Sequence, residues 1–304
     1  MSLAAIDLNI PYIVSLQGVV SEIYKHVLTG MEPDAIFNKS IRDIIFGGST
    51  IDLRHLYKKL SIFEKKIVFN SKGVVGRTEW DKAWVNFNFS NIYYYKHYEP
   101  LRKEFLNSRK WDFNLCEKKQ IFLSQSNTSI KGLHILLDAI QLLKQNFPNI
   151  NLIIAGKNYK TKTFRNFILR TSYEKYILKK IKTFGLEQNV KFIGPQNVNK
   201  MIDNLLKSNL FVQPSLIENS PNSLMEAVFL NVPSVAAYVG GIPSLYEDFE
   251  NVSLYQSDSA LMLANKISLI LQKTTFRENP LLQNNDNNGN ALINIYIHVL
   301  AKEN

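Results

Sequence analysis

The stretch Leu210–Ala227, LFVQPSLIENSPNSLMEA, concentrates the groups that could do chemistry. It reads as a strand that runs into a loop and then a helix, with Ser220 as N-cap and Pro221 as the first helical residue. The amides of Asn222, Ser223 and Leu224 would then lack intrahelical partners, and such a helix end attracts phosphate. Glu218 in the loop and Glu226 in the helix flank that end. A carboxylate beside bound phosphate is repelled, so both make sense if each meets hydroxyls, because one carboxylate accepts from both arms of a vicinal diol. Phosphate between two diols is the chemistry of a nucleotide sugar. Taken alone, the two acids also fit a solvated loop and an ordinary helix, with Asn219, Asn222 and Ser223 serving only to cap and turn the chain.

The elements that must position these groups follow a regular beat. From Gln120 onward, short apolar runs alternate with helical patterns, as stacked βα units on a parallel sheet do. Strands are predicted at Ile121–Ser124, Asn151–Ala155, Val190–Ile193, Leu210–Pro214 and Ser234–Tyr238, and helices over Lys131–Asn146, Ser172–Phe184, Asn197–Lys207 with Asn197 as N-cap, and Ser259–Leu271. Lys131 then stands at a helix start, where the macrodipole disfavours a cation. The earlier part is less regular, with strand-like runs at Tyr12–Leu16, Lys66–Phe69 and Gly73–Val75. The polar stretch Asn107–Lys119 marks a junction, giving domains over 1–113 and 114–285. After the low-complexity run Gln283–Asn290, a helix over Ala291–Leu300 is expected to pack back on the first domain as part of a segment 286–304.

Composition excludes several classes. With 45% hydrophobic and 20% charged residues in 304, the chain has a core to bury and is neither a disordered tail nor a fibre. No segment reaches the roughly 18 unbroken apolar residues of a membrane span. The first residues, MSLAAIDLNIPYIVSLQG, lack a basic leader and carry Asp7, so a cytoplasmic location is expected, with peripheral contact to the inner face of the membrane. The single Cys116 gives no sign of an oxidising compartment. Of the +10 net charge, +8 falls within Lys157–Lys191, where ten basic residues meet only Glu174 and Glu187 and the aromatics Tyr159, Phe164, Phe167, Tyr173 and Tyr176 interleave. That segment is the candidate for an anionic membrane surface. A solvated helix face in a Lys-rich and Asn-rich chain is the plainer explanation, and no nucleic-acid module is recognisable.

The Glu218 to Glu226 spacing resembles the hallmark of the retaining glycosyltransferases of family 4, which have the two-domain GT-B architecture. The resemblance extends, in the family's order, through SLQGVV (Gln17, Gly18), GRTEWDKAWV (Arg77 to Val85), IKGLHILLDAI (Lys131, Gly132), LIIAGKN (Gly156), VKFIGPQN (Gly194) and VGGIPSLY (Gly240, Gly241). The SQxxxxIKG and GRTEWD variants look most like the members that build bacterial capsule, exopolysaccharide and other surface glycans. The resemblance implies an α/β fold of two Rossmann-like domains with parallel sheets. It also implies a UDP- or GDP-sugar donor and a glycan or lipid-linked acceptor, with neither metal nor cofactor. Carried over position by position, Lys131 neutralises the donor diphosphate, Glu226 holds the ribose hydroxyls, and Glu218 contacts the transferred sugar with the backbone of Asn219–Ser223. The base sits near Pro195 and Gln196, and Gln17, Gly18 and Arg77 contribute from the first domain.

The sequence also departs from the family. Many members carry an Arg shortly before the motif Lys, where Gln125 or Ser126 stands here, so Arg77 is the candidate replacement cation. Gln17 stands where many have His, with His26 the nearest imidazole, and Ser244 where many have Glu. Glu99 and Arg102 in YEPLRKEF are expected to form a domain-junction ion pair. A complete first domain has about 150 residues, and roughly 80 to 100 of them are expected to be missing before the SLQG strand. That shortage would leave sheet edges and apolar faces for a second copy or a partner chain to cover. Three other readings fit parts of the pattern: a donor-binding protein without turnover, a nucleotide-sugar epimerase of the same architecture, and a basic nucleic-acid binder.

Overall fold

The computed structural model describes residues 4–7, 10–160, 169–276, 293–295 and 297. In chain order the first half holds α1 (Ala4–Asp7), β1 (Ile13–Ser15), α2 (Val20–His26), α3 (Pro33–Phe37), α4 (Ile41–Phe46), α5 (Thr50–Phe69), β2 (Gly73–Gly76), α6 (Glu79–Asn88), β3 (Tyr93–Lys96) and α7 (Lys103–Leu106). The second half follows with β4 (Glu117–Leu123), α8 (Leu133–Lys144), β5 (Asn151–Ala155), α9 (Ser172–Thr183), β6 (Val190–Gly194), α10 (Val198–Lys207), β7 (Ser208–Gln213), α11 (Asn222–Phe229), β8 (Ser234–Ala237), α12 (Ile242–Tyr246), β9 (Val252–Tyr255) and α13 (Ala260–Leu271).

Both sheets are wholly parallel. Among the described residues one has three strands, β1-β2-β3, and the other six, β6-β5-β4-β7-β8-β9. In the larger sheet the strand order reverses at β4, which places the crevice for a ligand at the carboxyl ends of β4 and its neighbours. The near-continuous apolar runs follow from burial on both faces. Ile121 and Leu123 of β4, Leu152 and Ile154 of β5 and Leu210 and Val212 of β7 join α8, α9 and α13 on one side. The alternating Phe122, Ile153 and Phe211 join α10 and α11 on the other. A separate core under the small sheet contains Leu16, Val19, Val68, Val74, Trp84 and Val85.

Helix starts obey local chemistry. Ser40 with Asp43, Ser49 with Asp52 and Thr78 with Asp81 form capping boxes for α4, α5 and α6, and Asn197 caps α10 through the Lys200 amide, as expected. Three expectations are corrected. Lys66–Phe69 is the last turn of α5, not a strand, because Ser61, Glu64, Ile67 and Val68 are buried at helical spacing on a 20-residue helix that starts at Thr50. Lys131 ends a short 3₁₀ turn and α8 starts only at Leu133. The helix after β7 starts at Asn222 with Pro221 at the N-cap, so Ser220 is not the cap. The strands β3 and β9 carry no clear alternation and were not anticipated. The run Gln283–Asn290 lies outside the described residues, and of the segment Ala291–Leu300 only 293–295 and 297 are described, as helix.

The expected basic surface of Lys157–Lys191 divides. Lys157 is paired with Glu174, Lys160 donates to the carbonyls of Glu187 and Val190, and Lys180 is buried against Asp138. Tyr159, Tyr173 and Tyr176 belong to the core rather than to a surface, because α9 turns Tyr173 and Tyr176 toward His134 of α8 while Tyr159, in the loop after β5, packs on Phe192 of β6. Lys162, Phe164, Arg165 and Phe167 lie outside the described residues.

One buried group makes stability depend on acid. His134 of α8 has no solvent exposure; its Nε2 meets the Thr29 carbonyl at 2.9 Å and its Nδ1 the Tyr173 hydroxyl at 3.2 Å. These partners suit the neutral ring, with Nε2–H donating and Nδ1 accepting. Burial lowers its pKa to about 4. Between the free-imidazole range and that value the unfolded chain takes up a proton that the folded one refuses, so stability falls as pH drops. Denaturant titrations should show the wild type losing about 2 kcal/mol more than His134→Gln between pH 7 and pH 5.

Candidate functional site

A cleft of about 600 Å³ lies where the carboxyl ends of the two sheets face each other. From the small sheet come Gln17 after β1, Arg77 after β2, and Glu99 to Arg102 after β3. From the large sheet come Ser124 and Gln125 after β4, Gln196 after β6, and Glu218 and Ser220 to Ser223 after β7, with Met225 and Glu226 on α11 and Lys131 before α8. Residues more than two hundred positions apart thus line one crevice.

Close backbone approach shapes the floor. Gly132 has φ +70°, and a Cβ there would lie 1.9 Å from the Pro214 carbonyl oxygen. Gly240 has φ +50°, and its Cβ would lie 2.0 Å from the Glu218 carbonyl. Only glycine supplies both the left-handed backbone and the space. The Leu216 amide donates to the Ile130 carbonyl at 2.8 Å and the Gly241 amide to the Glu218 carbonyl at 3.0 Å, so the loop carrying Glu218 is tied on both sides.

Among the described residues three cations face the cleft, and each holds a carboxylate. Lys131 Nζ bonds Glu218 Oε1, whose oxygen also accepts from Ser215 Oγ at 3.0 Å and from Gln213 Nε2 at 3.3 Å. Arg102 bonds Glu226 Oε1 through Nε at 2.8 Å and Nη2 at 2.7 Å. Arg77 bonds Glu99 and the Gln17 amide oxygen, each at 2.7 Å. Burial pushes the Glu226 carboxyl upward, and Arg102 opposes that shift. A buried carboxylate facing a cation stays ionised where an isolated one would not.

The structure therefore gathers Lys131, Glu218, Glu226, Ser220, Pro221, Asn222, Ser223, Gln125, Gln196, Gln17 and Arg77 in one cleft. Pro195 and Gly18 adjoin it without lining it. The Asn219 side chain is committed elsewhere, accepting from Thr78 Oγ1 at 2.6 Å and donating to Asp81 Oδ2 at 2.7 Å, so it latches the two halves together. The Leu224 amide bonds the Pro221 carbonyl, leaving only Asn222 and Ser223 as first-turn amides at the cleft. Gln125 is the neutral residue that occupies the cleft, while Ser126 is buried behind it. His26 and Ser244 lie outside the lining; Ser244 Oγ donates to the Gly241 carbonyl at 3.0 Å. Glu99 and Arg102 are not paired with each other as expected, because β3 delivers Glu99 to Arg77 while the next turn delivers Arg102 to Glu226. Arg102, expected only in a domain-junction ion pair, is a residue of the site itself.

Two opposed parallel sheets with a cleft between their carboxyl ends define the GT-B class of fold. Residues 107–287 match the model of the glycosyl transferases group 1, and the chain belongs to that family. Over 129 residues it is 30% identical to the capsular polysaccharide biosynthesis glycosyltransferase CapH of Staphylococcus aureus, a match spanning 42% of this chain and 31% of that one. An uncharacterized glycosyltransferase of Methanocaldococcus jannaschii is 30% identical over 140 residues, 45% of this chain and 29% of that one. The chain thus aligns with about a third of the length of either relative. Among solved structures, Anabaena HepE in complex with UDP and glucose superposes with a TM-score of 0.62 at 19% identity, covering 89% of this chain and 64% of that one. Sucrose-phosphate synthase of Thermosynechococcus elongatus gives 0.61 at 17% identity, covering 85% and 58%.

Proposed function

We propose that the protein is a retaining glycosyltransferase of family 4 that moves a sugar from a UDP- or GDP-sugar to a cell-surface glycan or lipid-linked acceptor. The observation that carries this reading is the arrangement of Lys131–Glu218 and Arg102–Glu226 around the first turn of α11, at the carboxyl ends of the large sheet. Such a site offers cations and amides to a diphosphate, with a carboxylate for the diol on each side. The capsular relative favours a surface glycan as product.

In the step itself, the bond from the anomeric carbon to the diphosphate oxygen breaks and negative charge collects on that phosphate. Lys131 and the amides of Asn222 and Ser223 stabilise it, with no divalent ion required by the scheme. Glu218 offsets positive charge growing on the sugar ring. The acceptor hydroxyl adds from the face the diphosphate leaves and gives its proton to the departing oxygen, so the anomeric configuration is kept. Glu226 holds the ribose, and Gln196 lies where a base would rest.

Thermal shift with UDP, GDP and ADP tests the reading. A stabilised wild type and a much smaller shift in Glu226→Ala support it; no shift of the wild type with any of the three ends it. A second reading, donor binding without transfer, is favoured by the pairing of Lys131 with Glu218 and of Arg77 with Glu99, which leaves less positive charge for the leaving diphosphate. Release of UDP from UDP-sugars in the presence of a lipid-linked acceptor separates the two.

A further inference from the structure

The outer face of α5 is used by neither the core nor the cleft. The helix buries Ser61, Glu64, Ile67 and Val68. With about 3.6 residues per turn, Ile62 and Phe69 line up on the opposite side, flanked by Arg54, Lys58 and Lys65 along one edge and by Lys59 and Lys66 along the other. Ile62 is 67% and Phe69 72% exposed, and all five flanking cations are exposed. The two acids of the helix are engaged elsewhere. Asp52 is bound to Lys39 and the Ser49 amide, and buried Glu64 accepts from the amides of Val20 and Ser21 at 2.7 Å. The preceding α4 leads into this face through Gly47 and Gly48 with Ile44 and Phe46 also exposed, 71% and 69%.

We propose that this face docks the protein on an anionic lipid surface. Ile62 and Phe69 enter the boundary between headgroups and acyl chains, while the lysine stems lie along the apolar stripe and their ammonium groups reach the lipid phosphates. A stripe of exposed apolar side chains with cations on both edges matches that boundary layer by layer. A second copy meeting the same face across a two-fold axis would set five cations against five. A nucleic acid would use the cations and leave Ile62 and Phe69 in water. Each cation near an anionic surface adds roughly fivefold to affinity.

The test is co-sedimentation of the whole chain with vesicles of phosphatidylcholine alone and of phosphatidylcholine with about a third phosphatidylglycerol, at low and high salt. Retention is expected on the anionic vesicles at low salt. Lys58→Glu with Lys59→Glu, and separately Ile62→Ser with Phe69→Ser, should each weaken it by roughly tenfold or more. Both double variants should melt as the wild type does, since the residues changed are on the surface. Lys175→Glu with Lys179→Glu on α9 should retain full binding, which places the contact on α5. The proposal is overturned by failure to bind anionic vesicles at low salt, or by full retention of the Ile62→Ser, Phe69→Ser protein, which would leave only a general polyanion surface. A solution dimer dissolved by those two changes would assign the face to a second copy instead.

Discussion

Glu218→Gln is expected to reduce sugar transfer by about a hundredfold or more, yet to bind UDP several-fold more tightly than the wild type. The reason is competition. In the structure Lys131 is already neutralised by Glu218, in a pair that is partly shielded from solvent. A diphosphate must therefore displace one carboxylate before it gains the ammonium group. The amide of Gln can keep the contacts with Ser215 and Gln213 while releasing Lys131, and a partly exposed pair of this kind is worth about 1 kcal/mol, or roughly fivefold in affinity. The turnover loss is larger because the carboxylate faces charge that exists only in the transition state. Lys131→Ala should behave oppositely at the binding step, weakening UDP by about tenfold while also lowering turnover by 10²- to 10³-fold, roughly. Calorimetry with UDP alongside a donor-turnover assay checks both variants. Weaker UDP binding by Glu218→Gln would show that Glu218 supports the nucleotide rather than competing with it.

The second large effect concerns Glu226 and Arg102. Glu226→Ala should weaken UDP by roughly thirtyfold, the equivalent of about 2 kcal/mol for a charge-assisted pair of hydrogen bonds to the ribose. Inorganic diphosphate, which has no ribose, should bind this variant at least as well as the wild type, because Arg102 is freed. Arg102→Ala isolates the counter-ion. Burial already raises the Glu226 carboxyl, and it is the Arg102 guanidinium that opposes the rise. A raised carboxyl loses its charge as pH falls through the higher value, so UDP affinity of Arg102→Ala should drop between pH 7.5 and pH 5.5, roughly the range in which buried acids titrate. The wild type should hold its affinity across that range. The same shift has a stability side: ionising a raised carboxyl disfavours folding above the ordinary carboxylate range, so Arg102→Ala should cost more stability at pH 7 than at pH 4, approximately the pKa of a free acid. Arg102→Lys restores a cation without the fork and should recover the pH profile more fully than the affinity.

Local chemistry was legible along the chain. Five of the six strands of the large sheet, all but the edge strand β9, could be read because burial on both faces makes them largely apolar, and Asn197 could be named as a cap because a side-chain oxygen before an apolar period has one common use. The spacing of Glu218, Glu226 and Lys131 within βα units likewise brought them to one end of the sheet, since every βα loop of a parallel sheet opens on the same side. Less was legible before residue 107. The last turn of α5 resembles a strand over four residues, and its helical period shows only across the whole helix.

What the sequence alone determined was which residues stand at strand ends, and so which could meet a ligand. Pairing among them was decided only in three dimensions. Nothing in the chain says that Arg102 rather than Arg77 reaches Glu226, that Arg77 is held by Glu99 and Gln17, or that Asn219 turns away to latch Thr78 and Asp81. The physical reason is that a strand end specifies a position to within one loop, whereas an ion pair forms over about 3 Å. That finer choice depends on how the two sheets are set against each other. The same holds for the charge on the surface. Lys-rich segments are visible as counts, but whether lysines pair inward, as on Lys157–Lys191, or flank an exposed apolar stripe, as on α5, depends on which face of the helix the core claims.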